Sequence, residues 1–259
     1  DLTTGVKKYG VTNSPLVRDG RVYTIAVGRD PESEKKMPIR GKGVGVYAFD
    51  AETGEDVWQR RFDIPGQTPH STAVWGVVDG RETVVCHLSE AVFGLDPRTG
   101  ETLWELNYIE TFFPEGKRGR VYSSESWPLV MDDGLIIDRI WNDVPSKECR
   151  EAGNAAAGSL GRVVAFRIKD GKPTIEWTNE DVSPYYLGLQ PWEGYLYGLN
   201  NKHISKGYQW AKDKLVCLEI STGKVMWETQ DWPIPGINEG VRGFQKTADP
   251  AMTVAGGAL

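Results

Sequence analysis

One turn returns five times along this chain. It reads D-L-T-T-G-V-K-K-Y at 1–9, D-A-E-T-G-E-D-V-W at 50–58 and D-P-R-T-G-E-T-L-W at 96–104. It returns as R-I-K-D-G at 167–171, with Trp177 late, and as E-I-S-T-G-K-V-M-W at 219–227. A unit of this size cannot bury its apolar surface alone, so its recurrence restricts the chain to an array of stacked modules.

The second copy shows what the unit is. Val44, Val46 and Ala48 alternate with Gly45, Tyr47 and Phe49, which is strand periodicity. Asp50 to Gly54 is a turn: aspartate bonds its own backbone, and glycine accepts positive φ without a steric penalty. The chain from Asp56 to Phe62 then resumes as a strand. A second pattern precedes each such hairpin, as in S-P-L-V-R-D-G-R-V-Y (14–23) and W-P-L-V-M-D-D-G-L-I-I (127–137). Each is an apolar run, a D-G or E-G turn and another apolar run, hence also a hairpin. Two hairpins make a unit of four antiparallel strands, A to D. The turn glycines Gly54, Gly100, Gly171 and Gly223 lie 46, 71 and 52 residues apart, a spacing that suits propeller blades.

The expected fold class is therefore all-β: a β-propeller of four-stranded antiparallel blades. Four complete blades fall at about 10–62, 63–110, 111–182 and 183–231. Residues 1–9 and 232–259 supply partial blades within one propeller region spanning 1–259; they either pair to close a five-bladed ring or belong to a larger one.

At A-F-D-A-E-T-G-E-D-V-W (48–58) the pattern A-x-D-x-x-T-G-x-x-x-W is complete. This resembles the tryptophan-docking repeat of the pyrroloquinoline-quinone-like (PQQ-like) β-propeller family. The resemblance implies that Trp58, Trp104 and Trp227 each pack against the turn of a neighbouring blade. The docking hardware would be Ala48, Asp50, Thr53 and Gly54, then Asp96, Thr99 and Gly100, then Thr222 and Gly223. Blade 3 departs from the pattern at Arg167, Asp170 and Trp177, which predicts less regular docking. The family holds quinoprotein dehydrogenases and also non-catalytic exported scaffolds, such as the outer-membrane-protein assembly lipoprotein. It implies a periplasmic or otherwise exported location, and a partial propeller of a larger ring rather than a five-bladed closure.

Propeller topology places the tight A–B and C–D turns on one face. The long B–C segments 28–43, 138–161 and 198–213 and the D–A segments 63–70, 105–125 and 228–248 project from the other. Function concentrates on such loops when a rigid scaffold carries them. Residues at the mouths of the A strands are Asn13, His70, Glu125, Tyr186 and Lys246. The B–C segments add Arg139, Trp141, Asn142, Asn200, Asn201 and His203. Aromatic residues expected to stand exposed in the long loops include Tyr108, Phe112, Phe113 and Trp141, with Phe112 and Phe113 forming the best single patch.

Two function classes follow. The favoured one is a non-catalytic module that binds a protein, peptide or polysaccharide at the elaborated face, with no cofactor and no metal. The alternative is a quinoprotein dehydrogenase with PQQ and Ca²⁺, which needs oxygen ligands and a carboxylate base. Glu125, Asp138, Asn142 and Asp143 are candidates by proximity alone. The cysteines, Cys86, Cys149 and Cys217, are far apart and form neither an adjacent pair nor a C-x-x-C-H haem motif. A net charge of −6 argues against a nucleic-acid groove, and no stretch is long enough for a membrane span.

Overall fold

Each strand of this chain that carries apolar residues on both its faces needs a neighbour on both sides, and consecutive blades supply it. The computed structural model describes residues 13–27, 41–66, 71–88, 90–113, 121–122, 127–142, 161–184, 188–200 and 214–229. Blade 1 comprises β1 (Leu16–Arg18), β2 (Arg21–Val27), β3 (Gly41–Asp50) and β4 (Asp56–Gly66). Blade 2 comprises β5 (Val74–Val78), β6 (Arg81–Leu88), β7 (Ala91–Leu95) and β8 (Thr102–Asn107). A short helix, α1 (Tyr108–Phe112), and β9 (Val121–Tyr122) follow. Blade 3 comprises β10 (Leu129–Val130), β11 (Ile136–Asn142), β12 (Arg162–Lys169) and β13 (Lys172–Asn179), with β9 pairing β11. Blade 4 comprises β14 (Gln190–Trp192), β15 (Tyr195–Asn200), β16 (Lys214–Glu219) and β17 (Val225–Thr229). Within each blade the four strands run as an antiparallel meander, as the two-hairpin unit requires, and β9 adds to β11 outside that path.

The core is divided among the junctions. Val84, Cys86 and Leu88 on β6 pack with Tyr23, Ile25 and Val46 of blade 1. Val85, on the other face of β6, packs with Ile136, Ile140 and Phe166 of blade 3. Ile137 and Ala165 then face Leu196 and Leu218 of blade 4. The period-2 alternation of each strand thus feeds two different cores.

Docking is visible at two junctions. The Trp58 indole N–H donates to the Pro97 carbonyl at 3.0 Å, with its ring against Gly100. The Trp177 indole N–H donates to the Ile220 carbonyl at 2.8 Å, with its ring against Gly223. Substituting either glycine would place a Cβ 2.6 Å or 2.2 Å from the ring, on a backbone with φ near +70°. The receiving turns are self-bonded: Asp96 Oδ1 accepts from the Arg98 and Thr99 amides, and Glu219 Oε2 from the Thr222 hydroxyl; in the equivalent turn of blade 1, Asp50 Oδ1 accepts from the Thr53 amide and hydroxyl. Those bonds, the Thr53 amide first, hold the Asp50 carboxyl below its ordinary range.

Trp177 corrects one expectation, because it docks regularly although it comes two residues late. Each outer hairpin carries a register shift beside the docking position, so that Trp58, Trp104, Trp177 and Trp227 pair with Ala48, Gly94, Ala165 and Cys217. In blade 3 the extra residues extend the hairpin to a Lys169–Lys172 pair closed by Asp170 (φ 52) and Gly171 (φ 72). Two successive positive φ values are what a two-residue hairpin turn needs.

The irregularity falls instead on Trp104, whose receiving turn in blade 3 has been replaced. Among the described residues its indole N–H finds no hydrogen-bond partner, and its ring sits edge-on to Phe166 at 5.9 Å. A Cβ on Gly94 would lie 2.1 Å from that ring, so glycine at this position lets Trp104 lie against its own blade. Asp79 accepts from the Gly171 amide at 3.1 Å and ties the same junction by a different bond. Trp227 is 42% exposed. Gly94→Ala is expected to cost about 1–3 kcal/mol by overpacking, measured as a lower urea midpoint, and Trp104→Phe in that background should recover most of it.

Candidate functional site

Polar residues on inward strand faces mark where a propeller departs from pure packing. Two such residues lie on facing rows of the junction between blades 2 and 3. His87 on β6 is fully buried on the face that carries Val85, and Asp138 on β11 is buried on the face that carries Ile136 and Ile140. The His87 Nδ1 lies 3.0 Å from Asp138 Oδ2. A carboxylate can only accept, so Nδ1 carries the proton. The Tyr108 hydroxyl donates to the same Oδ2 at 2.5 Å, and the Arg139 amide donates to Oδ1 at 2.7 Å. Tyr108 and His87 meet edge to face at 5.2 Å. Burial, and next the Asp138 carboxylate, push the Tyr108 hydroxyl well above the ordinary phenol range. Among the described residues His87 Nε2 has no hydrogen-bond partner.

Tyr108 reaches this position because α1 interrupts what the sequence reads as a plain D–A loop. Asn107 caps the helix through Oδ1, which accepts from the Glu110 amide at 3.1 Å, and Thr111 Oγ1 donates to the Asn107 carbonyl at 2.6 Å. Tyr108 and Ile109 face the core. The expectation that Tyr108 and Phe113 stand exposed is thereby corrected: both are buried, and Phe112 is half-buried. The Arg162 guanidinium lies 5.0 Å from both the Phe112 and Phe113 rings and pairs with Glu180 at 2.7 Å. Burial lowers the Arg162 pKa, which Glu180 opposes.

Arg139 and Asn200 lie in strands β11 and β15 rather than in loops, and both are buried. Asn200 donates to the Asp181 carbonyl at 2.9 Å and accepts from the Ser183 amide at 3.1 Å, tying β15 to the link between blades 3 and 4. Asn13 does similar work in blade 1, donating to the Ile25 carbonyl at 2.5 Å. The backbones of Trp141 and Asn142 pair with Tyr122 and Val121. His70, Glu125, Tyr186 and His203 lie outside the described residues, as do Asp143, Cys149, Asn201 and Lys246. Cys86 and Cys217 are free and buried, and burial raises both thiols above the ordinary range.

Asp138 does not fit a calcium site. Its oxygens are committed to a phenol, an imidazole and an amide, whereas Ca²⁺ takes six to eight oxygen ligands. Among the described residues no three His, Cys, Asp or Glu side chains gather as metal ligands, and no helix is long and apolar enough to cross a membrane. His87 and Tyr108 escaped sequence reading as site residues. The polar break in V-V-C-H-L was the available signal for His87, and Tyr108 gave none without the helix.

A family model described as outer membrane protein assembly factor BamB matches residues 4–229. The chain belongs to this PQQ-like β-propeller family. Similar solved structures include BamB from Moraxella catarrhalis, 16% identical with a TM-score of 0.47, covering 85% of this chain and 53% of that one. A quinohemoprotein alcohol dehydrogenase from Comamonas testosteroni is 17% identical with a TM-score of 0.54, covering 90% of this chain and 36% of that one. A second such dehydrogenase, ADHIIG from Pseudomonas putida HK5, is 16% identical with a TM-score of 0.51, covering 85% and 34%. This PQQ-like chain thus spans 53% of the length of the first and 36% and 34% of the other two. At these identities the dehydrogenases share its fold alone. No curated protein sequence matches it.

The buried network should behave as one unit. Asp138→Ala strands a phenol and an imidazole and is expected to cost about 3–5 kcal/mol, against about 1–2 kcal/mol for Tyr108→Phe. In a double-mutant cycle read by denaturant unfolding, the two should fall short of additivity by about 1 kcal/mol or more. Simple additivity would show that the groups act separately.

Proposed function

We infer that this chain is a non-catalytic, exported binding module that engages another protein through the face bearing its long B–C and D–A connections. The observation that carries the reading is the commitment of Asp138. A carboxylate that serves as a base must face its substrate. Asp138 is 2% exposed and instead holds α1 onto the junction of blades 2 and 3 through Tyr108. The chemistry at this position thus braces a loop. The family description, an outer membrane protein assembly factor, favours a protein partner over a peptide or polysaccharide and supports a periplasmic location.

The half-buried Phe112 ring is the accessible part of the expected aromatic patch, since Phe113 is inside. A single aromatic anchor is worth upwards of about 1 kcal/mol at an interface, or about fivefold in affinity. Phe112→Ser should therefore weaken binding to a detergent-solubilised bacterial outer-membrane protein fraction by about that factor, with little change in melting temperature. The enzyme alternative is tested by titrating the chain with PQQ and Ca²⁺. The quinone absorbance is expected to stay flat, and an alcohol should not reduce an artificial electron acceptor. A saturating spectral change accompanied by dye reduction would overturn the reading in favour of a quinoprotein dehydrogenase.

A further inference from the structure

The junction between blades 3 and 4 holds a cleft of about 500 Å³ among the tight turns. Leu135, Trp177, Glu193, Glu219 and Ile220 line it. In blades 1 and 4 the C–D turn bonds the A–B turn beside it, which puts the two tight turns on one face: Ala51 donates to the Gly20 carbonyl, and Ile220 to that of Gly194.

The junction between blades 1 and 2 shows what this space holds when the chain fills it. There the Pro97 carbonyl accepts from three groups: the Trp58 indole at 3.0 Å, the Tyr23 hydroxyl at 3.2 Å and Arg21 Nη1 at 3.2 Å. Register identifies the counterparts in blade 3. Tyr23 pairs with Ala48 and Ile137 with Ala165, so Ile137 stands for Tyr23 and Leu135 for Arg21. Neither replacement has a donor. The Ile220 carbonyl therefore keeps the bond from the Trp177 indole without counterparts of the Tyr23 and Arg21 donors, at the wall of an open cleft.

Charge selects the kind of group that would complete it. Asp133, Glu176, Glu193 and Glu219 line the cleft with one cation, Arg167, while Lys169 beside it pairs with Glu176 at 3.2 Å, which leaves the acids in excess. Arg167 is already engaged by the Asp133 carbonyl at 2.6 Å and by its carboxylate, whose pKa the guanidinium lowers. Glu193 sits exposed on the A–B turn. A guanidinium matches a carbonyl, a carboxylate and an indole together, because it is flat, weakly hydrated and carries only donors.

We propose that this cleft recognises an arginine side chain presented by a segment of a partner protein, the guanidinium taking the place that Arg21 takes between blades 1 and 2. This second contact is independent of the loop face.

The test titrates the isotope-labelled full chain with the peptide acetyl-Gly-Arg-Gly-amide, and with versions carrying lysine or uncharged citrulline instead of arginine. Saturable shifts are expected at the Trp177 indole N–H and at the Gly194 and Ser221 amides. Arginine should bind about tenfold tighter than citrulline, as a charge-assisted bond implies, with lysine between them. Leu135→Arg supplies the guanidinium internally and should abolish the shifts. Glu193→Gln, on an exposed turn, should weaken binding about threefold without altering the melting temperature. Absence of saturable shifts, equal binding of the citrulline peptide, or undiminished binding to Glu193→Gln would overturn the proposal.

Discussion

A blade of this chain has two apolar faces, and only another blade can cover them. Everything else in the structure answers to that constraint. β6 and β12 send alternate residues into different cores, so neither can shift by one residue without exchanging both sets. Packing of that kind is broad and lacks direction. The polar contacts at each junction supply the direction by fixing which turn meets which ring.

Those contacts differ from one junction to the next. Between blades 1 and 2, and again between blades 3 and 4, an indole N–H meets a turn carbonyl. Between blades 2 and 3 that bond is not made, and the Trp104 N–H is buried without a partner among the described residues. The same junction instead carries the His87–Asp138–Tyr108 network beneath α1 and the Asp79–Gly171 bond among the tight turns. A buried polar network is favourable only when its members find each other. Here it joins two blades and a helix in one arrangement.

The blade architecture was legible in the sequence because turn chemistry is local. Asp50, Thr53 and Gly54 state their turn in five residues, and the strands around them alternate with period two. What the sequence concealed depends on register between strands. Trp177 looks displaced when counted along the chain and is in place when counted across the ladder. Asp138 looks like a loop carboxylate available for chemistry, yet lies in a strand beneath a helix that no periodicity announces in five residues. Phe112 and Phe113 read alike in sequence, and only the helix face separates a half-buried ring from a buried one.

The altered turn of blade 3 means that the blades are not interchangeable parts. Blade 3 delivers its tryptophan in the ordinary way but cannot receive one in the ordinary way. Blade 2 has adapted to that, with glycine at position 94 where blades 1 and 3 carry alanine. The order of the modules is therefore written into matched pairs of faces. A shuffled copy of the same blades would place a mismatched edge at more than one seam.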